Sequence, residues 1–216
     1  IVERNILSEL KKRYSSNTGA IGLAYRNKSE KETIGYGGFL GLYFIKEIKK
    51  LKIEQIKNLD SIAIGFPSGL ALFISKKKWQ RVGGYDTHLK FGGDDSDLGI
   101  KLWLMGYRNY LYSKTTQIHL GGSKHRSNKE YSFRWKEVFY AHLYTLCKNY
   151  SFFNMLKALF CYPVFAFMKS LKQSILRLTP KPLFAFFQGY FMFLTDISTV
   201  AEKRKEIQSK RIIKED

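Results

Sequence analysis

Apolar residues recur every three or four positions in ERNILSELKKR (3–13). The spacing puts Ile6, Leu7 and Leu10 on one side and predicts a short amphipathic helix. TGAIGLAY (18–25) is a short, nearly unbroken apolar run and reads as a buried strand. NKSEKE (27–32) reads as a polar loop, and residues 34–42 are apolar and glycine-rich without a clear period. In the Lys-rich stretch 43–58, Ile45, Ile48, Leu51 and Ile56 recur at spacings that suggest a surface helix. SIAIGFPSGLALFIS (61–75) is strand-like but interrupted at Pro67. A central strand rarely tolerates proline, so a loop between two pieces is expected there. KKKWQRV (76–82) predicts a short helix closed by Gly83 and Gly84, with Lys76, Lys77 and Lys78 on a solvated face. A second helix is expected near 96–105, ending at Gly106, followed by two short strands in YRNYLYS and TTQIHLG. This alternation predicts an α/β fold over residues 1–132.

Beyond residue 132 the pattern changes, and 133–216 is expected to be helical. FRWKEVFYAHLYTLCKNY is amphipathic, and FFNMLKALFCYPVFAFMKSL (152–171) and LFAFFQGYFMFL (183–194) are strongly apolar. Lys157, Pro163 and Gln188 interrupt these runs, and the second is shorter than the ~20 residues a bilayer span needs. Two readings are open: helices lying in a membrane interface, or a helical subdomain that buries those faces.

Composition narrows the classes. With 44% hydrophobic residues a packed core is expected rather than disorder. The excess of 37 Lys+Arg over 18 Asp+Glu gives a net charge of +19, which suits a polyanionic partner such as nucleic acid, phosphorylated ligands or an anionic membrane face. Cys147 and Cys161 have no metal-ligand or redox spacing, and a disulfide framework is not expected. The first residue is Ile and no signal peptide is evident, so a fragment or processed chain is expected.

Against this basic background, FGGDDSDLGIKLW (91–103) gathers Asp94, Asp95 and Asp97. One or two such acids would serve as a helix cap and favour the positive end of the helix dipole. Three of them, after a glycine pair that allows a tight turn, also suit a general base that takes a proton from a hydroxyl. His119 ends a predicted strand 24 residues after Asp95 (119 − 95), which makes a shared site geometrically possible. In GGSKHRS (121–127), Lys124, His125 and Arg126 either clamp a phosphate or form a solvated basic loop. Trp79 and Trp103 suit core packing, and an aromatic face beside a polar rim also suits a sugar ring.

Taken in order, SGLALFISKKKWQRVGGYD, FGGDDSDLGIKLWLMGYR and TTQIHLGGS resemble the second half of a family 2 glycosyltransferase with a GT-A fold. Order and spacing match from about residue 60 to 127, and the flanking segments match more loosely. The resemblance implies that Asp95 is the catalytic base with Asp94 as its acidic neighbour. It implies substrate contacts at Gly69, Gly93, Asp97, Trp103, Lys124 and Arg126, and it implies that His119 joins a divalent metal site for Mn²⁺ or Mg²⁺. The family's Asp-x-Asp motif and nucleotide-binding half are not in this sequence, and VERNILSELKK resembles the helix that usually follows that motif.

The expected reaction is inverting transfer of a sugar from a nucleotide-diphosphate donor to a hydroxyl of a saccharide or lipid-linked acceptor, in cell-surface polysaccharide synthesis. The chain would then sit at the cytoplasmic face of a membrane, against its anionic surface. The rival expectation is a non-catalytic basic module that binds a membrane surface or nucleic acid. The sequence shows no aromatic ladder of an RNA-recognition sheet and no helix-turn-helix pattern, so no nucleic acid is expected.

Overall fold

The run Ala20–Ala24 is buried on both faces because it lies inside a sheet. The computed structural model describes residues 5–27, 33–35, 37–41, 45–48, 51–52, 61–119 and 127–213. They form two compact units. The first comprises the described residues of Ile1–Leu40, Ile45–Asp86 and Asp95–Gly122. The second comprises those of Gly41–Phe44, Thr87–Asp94 and Ser123–Asp216.

The first unit is mixed α/β. Its elements are α1 (Ile6–Arg13), β1 (Thr18–Asn27), β2 (Thr33–Gly35), β3 (Gly37–Leu40), β4 (Ile45–Ile48), β5 (Leu51–Lys52), β6 (Ser61–Ile64), β7 (Phe66–Pro67), β8 (Leu72–Ile74), α2 (Lys76–Arg81), α3 (Asp94–Leu104) and β9 (Arg108–His119). The main sheet runs β5-β2-β1-β9-β6, with β8 also pairing with β1. β1 and β9 are parallel, whereas β2 and β8 pair antiparallel with β1, and β6 does so with β9. A smaller antiparallel sheet runs β4-β3-β7. Strand alternation sorts the core into two layers. Ile21 and Leu23 pack with Ile6 and Leu10 of α1, while Ala20 packs with Leu98 and Leu102 of α3.

Three expectations change here. The surface helix over 43–58 is replaced by β4 and β5 in its described part, because pairing of Gly37–Leu40 with Ile45–Ile48 satisfies the backbone that helical spacing alone would have coiled; residues 53–60 lie outside the described residues. The two short strands after Gly106 are one strand, β9, which accommodates its length by register shifts against β1. Lys78 is not solvated: its Nζ donates to the carbonyls of Ser15 (3.1 Å) and Ser16 (2.7 Å) and lies 4.6 Å from the ring centres of both Tyr14 and Tyr107. Burial holds its ammonium below the ordinary lysine pKa. The break expected at Pro67 falls just after it: Pro67 itself sits in the two-residue strand β7, paired with Gly37 at a sheet edge that proline tolerates, and the turn follows at Gly69 and Leu70. The expected end of α2 holds: the helix is capped by the Ser75 side chain and followed by Gly83 and Gly84, both with positive φ.

The second unit is helical: α4 (Asn128–Asn149), α5 (Phe152–Leu176), α6 (Lys181–Thr195) and α7 (Ile197–Ser209). Ser127 and Glu130 form a reciprocal capping box that starts α4, so the helical region begins a few residues before the expected border at 132. The loop at 87–94 belongs to this unit. A Cβ added at Gly93 (φ +81°) would lie 2.9 Å from Ala141 Cβ of α4, so only glycine fits this approach. At the other end of α4, its last carbonyls are satisfied from α7. Arg204 Nη1 donates to Cys147 O (2.7 Å) and Tyr150 O (2.6 Å), and Gln208 Nε2 donates to Asn149 O (2.7 Å). Among the described residues no single helix is long and apolar enough to cross a membrane, and one pair, α6 with α7, meets the test only together, bent by 63°.

Candidate active site

The acidic cluster is not ahead of its helix but inside its first turn: α3 begins at Asp94. The three acids separate at once by helical geometry. Asp94 and Asp95 are half-buried, while Asp97 is fully enclosed. Asp95 is tied to a distant loop. Its Oδ2 accepts from the backbone N–H of Gly69 at 3.2 Å, and its Oδ1 accepts from the N–H of Ser96 at 2.9 Å. Gly69 is exposed, in a turn between β7 and β8. A Cβ added at Gly69 would lie 3.7 Å from Asp95 Cβ and 3.4 Å from the Tyr85 hydroxyl. One carboxylate, one backbone amide and one phenol therefore converge at an open turn. The Tyr85 ring is itself held edge-on by Trp79, with 5.0 Å between centroids.

Three interior contacts fix α3 so that Asp95 stays at this turn. Asp97 Oδ2 and Lys101 Nζ lie 3.0 Å apart with side chains 0% and 4% exposed. Lys101 directs its hydrogen bond to Gly84 O (2.6 Å), so its contact with Oδ2 is an ion pair rather than an aligned hydrogen bond. Asn109 of β9, also buried, donates to Gly65 O (2.8 Å) and Gly99 O (3.0 Å) and accepts from Ala20 N (3.1 Å). It thus ties α3 to β1 and to the link between β6 and β7. Finally, α3 approaches β7 at Gly99, where a Cβ would lie 2.2 Å from Phe66 Cβ.

The structure therefore joins Asp95 and Gly69, two residues singled out in the sequence. It gives the others different surroundings. Asp97 is an interior ion-pair partner, and Gly93 packs on α4. Trp103, 38% exposed, lies eight residues beyond Asp95, a rise of ~12 Å along α3. Lys124 and Arg126 lie outside the described residues. The backbone of His119 ends β9 in register with Asn27. Among the described residues, no group of three or more His, Cys, Asp and Glu side chains is arranged to hold a metal ion, and both Asp95 oxygens are engaged by N–H groups. The described residues do not by themselves make a donor set for a divalent cation. Sequence reading missed Tyr85, Lys101 and Asn109. An asparagine within an apolar strand is a poor strand former and is the one signal that would have flagged its buried role.

No protein-family model matches this chain, and no curated protein is similar to it in sequence.

Proposed function

We propose that this protein is an inverting glycosyltransferase of family 2 with a GT-A-type catalytic unit, in which Asp95 is the general base. The observation that supports this reading is the hydrogen bond from Gly69 N–H to Asp95 Oδ2, which brings together the small-residue loop and the acidic helix that carry the resemblance. A carboxylate held by a fixed amide at an exposed turn is oriented before substrate arrives, which favours proton transfer from a positioned hydroxyl. In the proposed step the acceptor hydroxyl gives its proton to Asp95. Its oxygen attacks the anomeric carbon of a nucleotide-diphosphate sugar, and the bond from that carbon to the diphosphate oxygen breaks. The electron pair leaves with the nucleoside diphosphate, and attack from the opposite face inverts the centre. Tyr85, at the edge of the same turn, would hydrogen-bond the incoming saccharide.

The acceptor is a saccharide or a lipid-linked saccharide at the cytoplasmic face of a membrane, in polysaccharide synthesis. Mn²⁺ or Mg²⁺ would offset charge on the departing diphosphate, with His119 as this chain's contribution. No step above passes through it, because the described residues lack a complete ligand set.

The test is release of nucleoside diphosphate from a panel of nucleotide-diphosphate sugars in the presence of lipid-linked acceptors. Asp95→Asn should lower turnover ~100-fold or more, as expected for loss of a general base. Its stability should change by no more than ~1 kcal/mol. Near-normal turnover in that variant removes Asp95 from the chemistry and leaves the non-catalytic basic module as the better reading.

A further inference from the structure

Helix α5 is turned inside out relative to a helix on an aqueous surface. Its buried stripe is Ala158, Tyr162, Ala166 and Ser170, mostly small or hydroxylated, recurring every fourth residue. Its bulky apolar residues face outward instead, with Phe153 74% and Phe160 76% exposed. Helix α6 buries Phe186 and Phe193 together with Ala185 and Gly189, where a Cβ at Gly189 would lie 2.8 Å from Lys136 O, yet still leaves Phe184, 62% exposed, and Phe191, 67% exposed, pointing out. A soluble surface rarely leaves apolar patches of this extent open. The turn between the helices adds an independent signal. Thr179 N donates to Ser174 O and Leu178 N to Ile175 O, a helix-ending motif whose left-handed position normally takes glycine. Here it is Leu178, with φ +49° and 94% exposed. A leucine that is both strained and fully solvated gains nothing from the fold of its own chain.

Charge identifies what covers this face. From Val138 to Thr195 there is no Asp or Glu, against six Lys and Arg. Lys157, Lys169, Lys172 and Lys181 are exposed among the aromatic residues. An isologous contact with a second copy would set these cations against themselves. An anionic bilayer accepts both features, taking the aromatic side chains at the acyl boundary and the ammonium groups among the headgroups. Crossing is disfavoured: α6 is ~22 Å long against ~30 Å of hydrocarbon, and Arg204 and Gln208 hold α7 to the end of α4.

We propose that the outer face of α5 and α6 lies in the plane of an anionic lipid surface, with Leu178 at the turn inserted among the lipids. This surface is argued without reference to Asp95, so its failure and that of the enzymatic reading are separately visible. The experiment is cosedimentation of the full chain with vesicles of phosphatidylcholine alone or mixed with phosphatidylglycerol. Binding should favour the mixed vesicles and weaken with salt. Leu178→Gly should weaken binding about tenfold, since a leucine inserted into hydrocarbon is worth about that much or more. Its melting temperature should not fall, because glycine relieves the left-handed φ. Phe160→Ser/Phe191→Ser should weaken binding further with unchanged circular dichroism, and Lys157→Glu/Lys172→Glu should abolish the preference for anionic lipid. Equal binding by wild type and both apolar variants overturns the proposal. So does a stable dimer in sedimentation with no affinity for vesicles, which would assign the face to a second copy.

Discussion

Replacing Asp97 by alanine tests whether the acidic cluster divides its labour as the geometry indicates. Asp97 and Lys101 sit 3.0 Å apart, and neither side chain reaches water. Removing the carboxylate leaves the Lys101 ammonium in the interior with the Gly84 carbonyl and no counter-charge among the contacts described. Breaking a pair of this kind from one side typically costs ~3–5 kcal/mol. That is a large share of the ~5–15 kcal/mol that holds a typical protein folded. In a chain of this size the loss corresponds to a fall in melting temperature of roughly 6–20 °C. The double variant Asp97→Leu/Lys101→Met removes both charges and keeps apolar volume, so it should recover most of the loss. Thermal and urea unfolding of wild type, Asp97→Leu, Lys101→Met and the double variant give the coupling energy directly. Asp95→Asn is the contrast within the same helix turn: its carboxylate is half-buried and bonded to exposed Gly69, so its stability effect should stay within ~1 kcal/mol. The reasoning is refuted if Asp97→Ala loses less than ~1 kcal/mol, or if the double variant is no more stable than the single.

Gly99→Ala should destabilise by ~1–3 kcal/mol in urea unfolding despite alanine's better helix propensity, because the new methyl meets Phe66 Cβ at 2.2 Å and its Cα at 2.8 Å; a neutral or stabilising result would mean that α3 and β7 are not in this close contact. Arg204→Met should raise amide hydrogen exchange around Thr145–Tyr150 and lower stability by about 1.5–3 kcal/mol, the amount expected for losing a charged donor from the α4 carbonyls; unchanged exchange there would show that α7 does not cap α4. Burial raises the Cys147 thiol from 9.0 to about 12, with the nearby Arg204 charge pulling weakly the other way. The folded state therefore keeps a proton that the unfolded state gives up above pH 9, so stability should decline between pH 9 and about 12, and Cys147→Ala should flatten that decline. At neutral pH, iodoacetamide should label half-buried Cys161 well before buried Cys147; equal labelling rates would contradict the burial.

Periodicity alone determined the elements whose local and tertiary preferences agree. α1 and the helical character of 133–216 follow from how apolar side chains recur along the chain. β1 follows from an apolar run with no room for a helix, and the end of α2 from glycines that tolerate positive φ. The strongly apolar character of 152–171 and 183–194 was likewise visible, whereas which of those residues face outward was settled by how α5 and α6 pack. The resemblance, rather than periodicity, singled out both Asp95 and Gly69, which the fold joins by a hydrogen bond. Only the tertiary structure decided the rest. Residues 45–48 and 51–52 have helical spacing but form strands, since partners at Gly37–Leu40 and Thr33–Ile34 satisfy their backbone and no local rule contains those partners. Lys78 and Asp97 read as solvated or site residues, because a sequence does not show that the carbonyls of Ser15, Ser16 and Thr18 and the rings of Tyr14 and Tyr107 enclose the first, or that an ammonium one helical turn away neutralises the second. The same holds for Asn109. Its three hydrogen bonds reach β1, α3 and the link between β6 and β7, segments up to 89 positions away, and burial of a polar group is settled by the partners that chain closure brings to it.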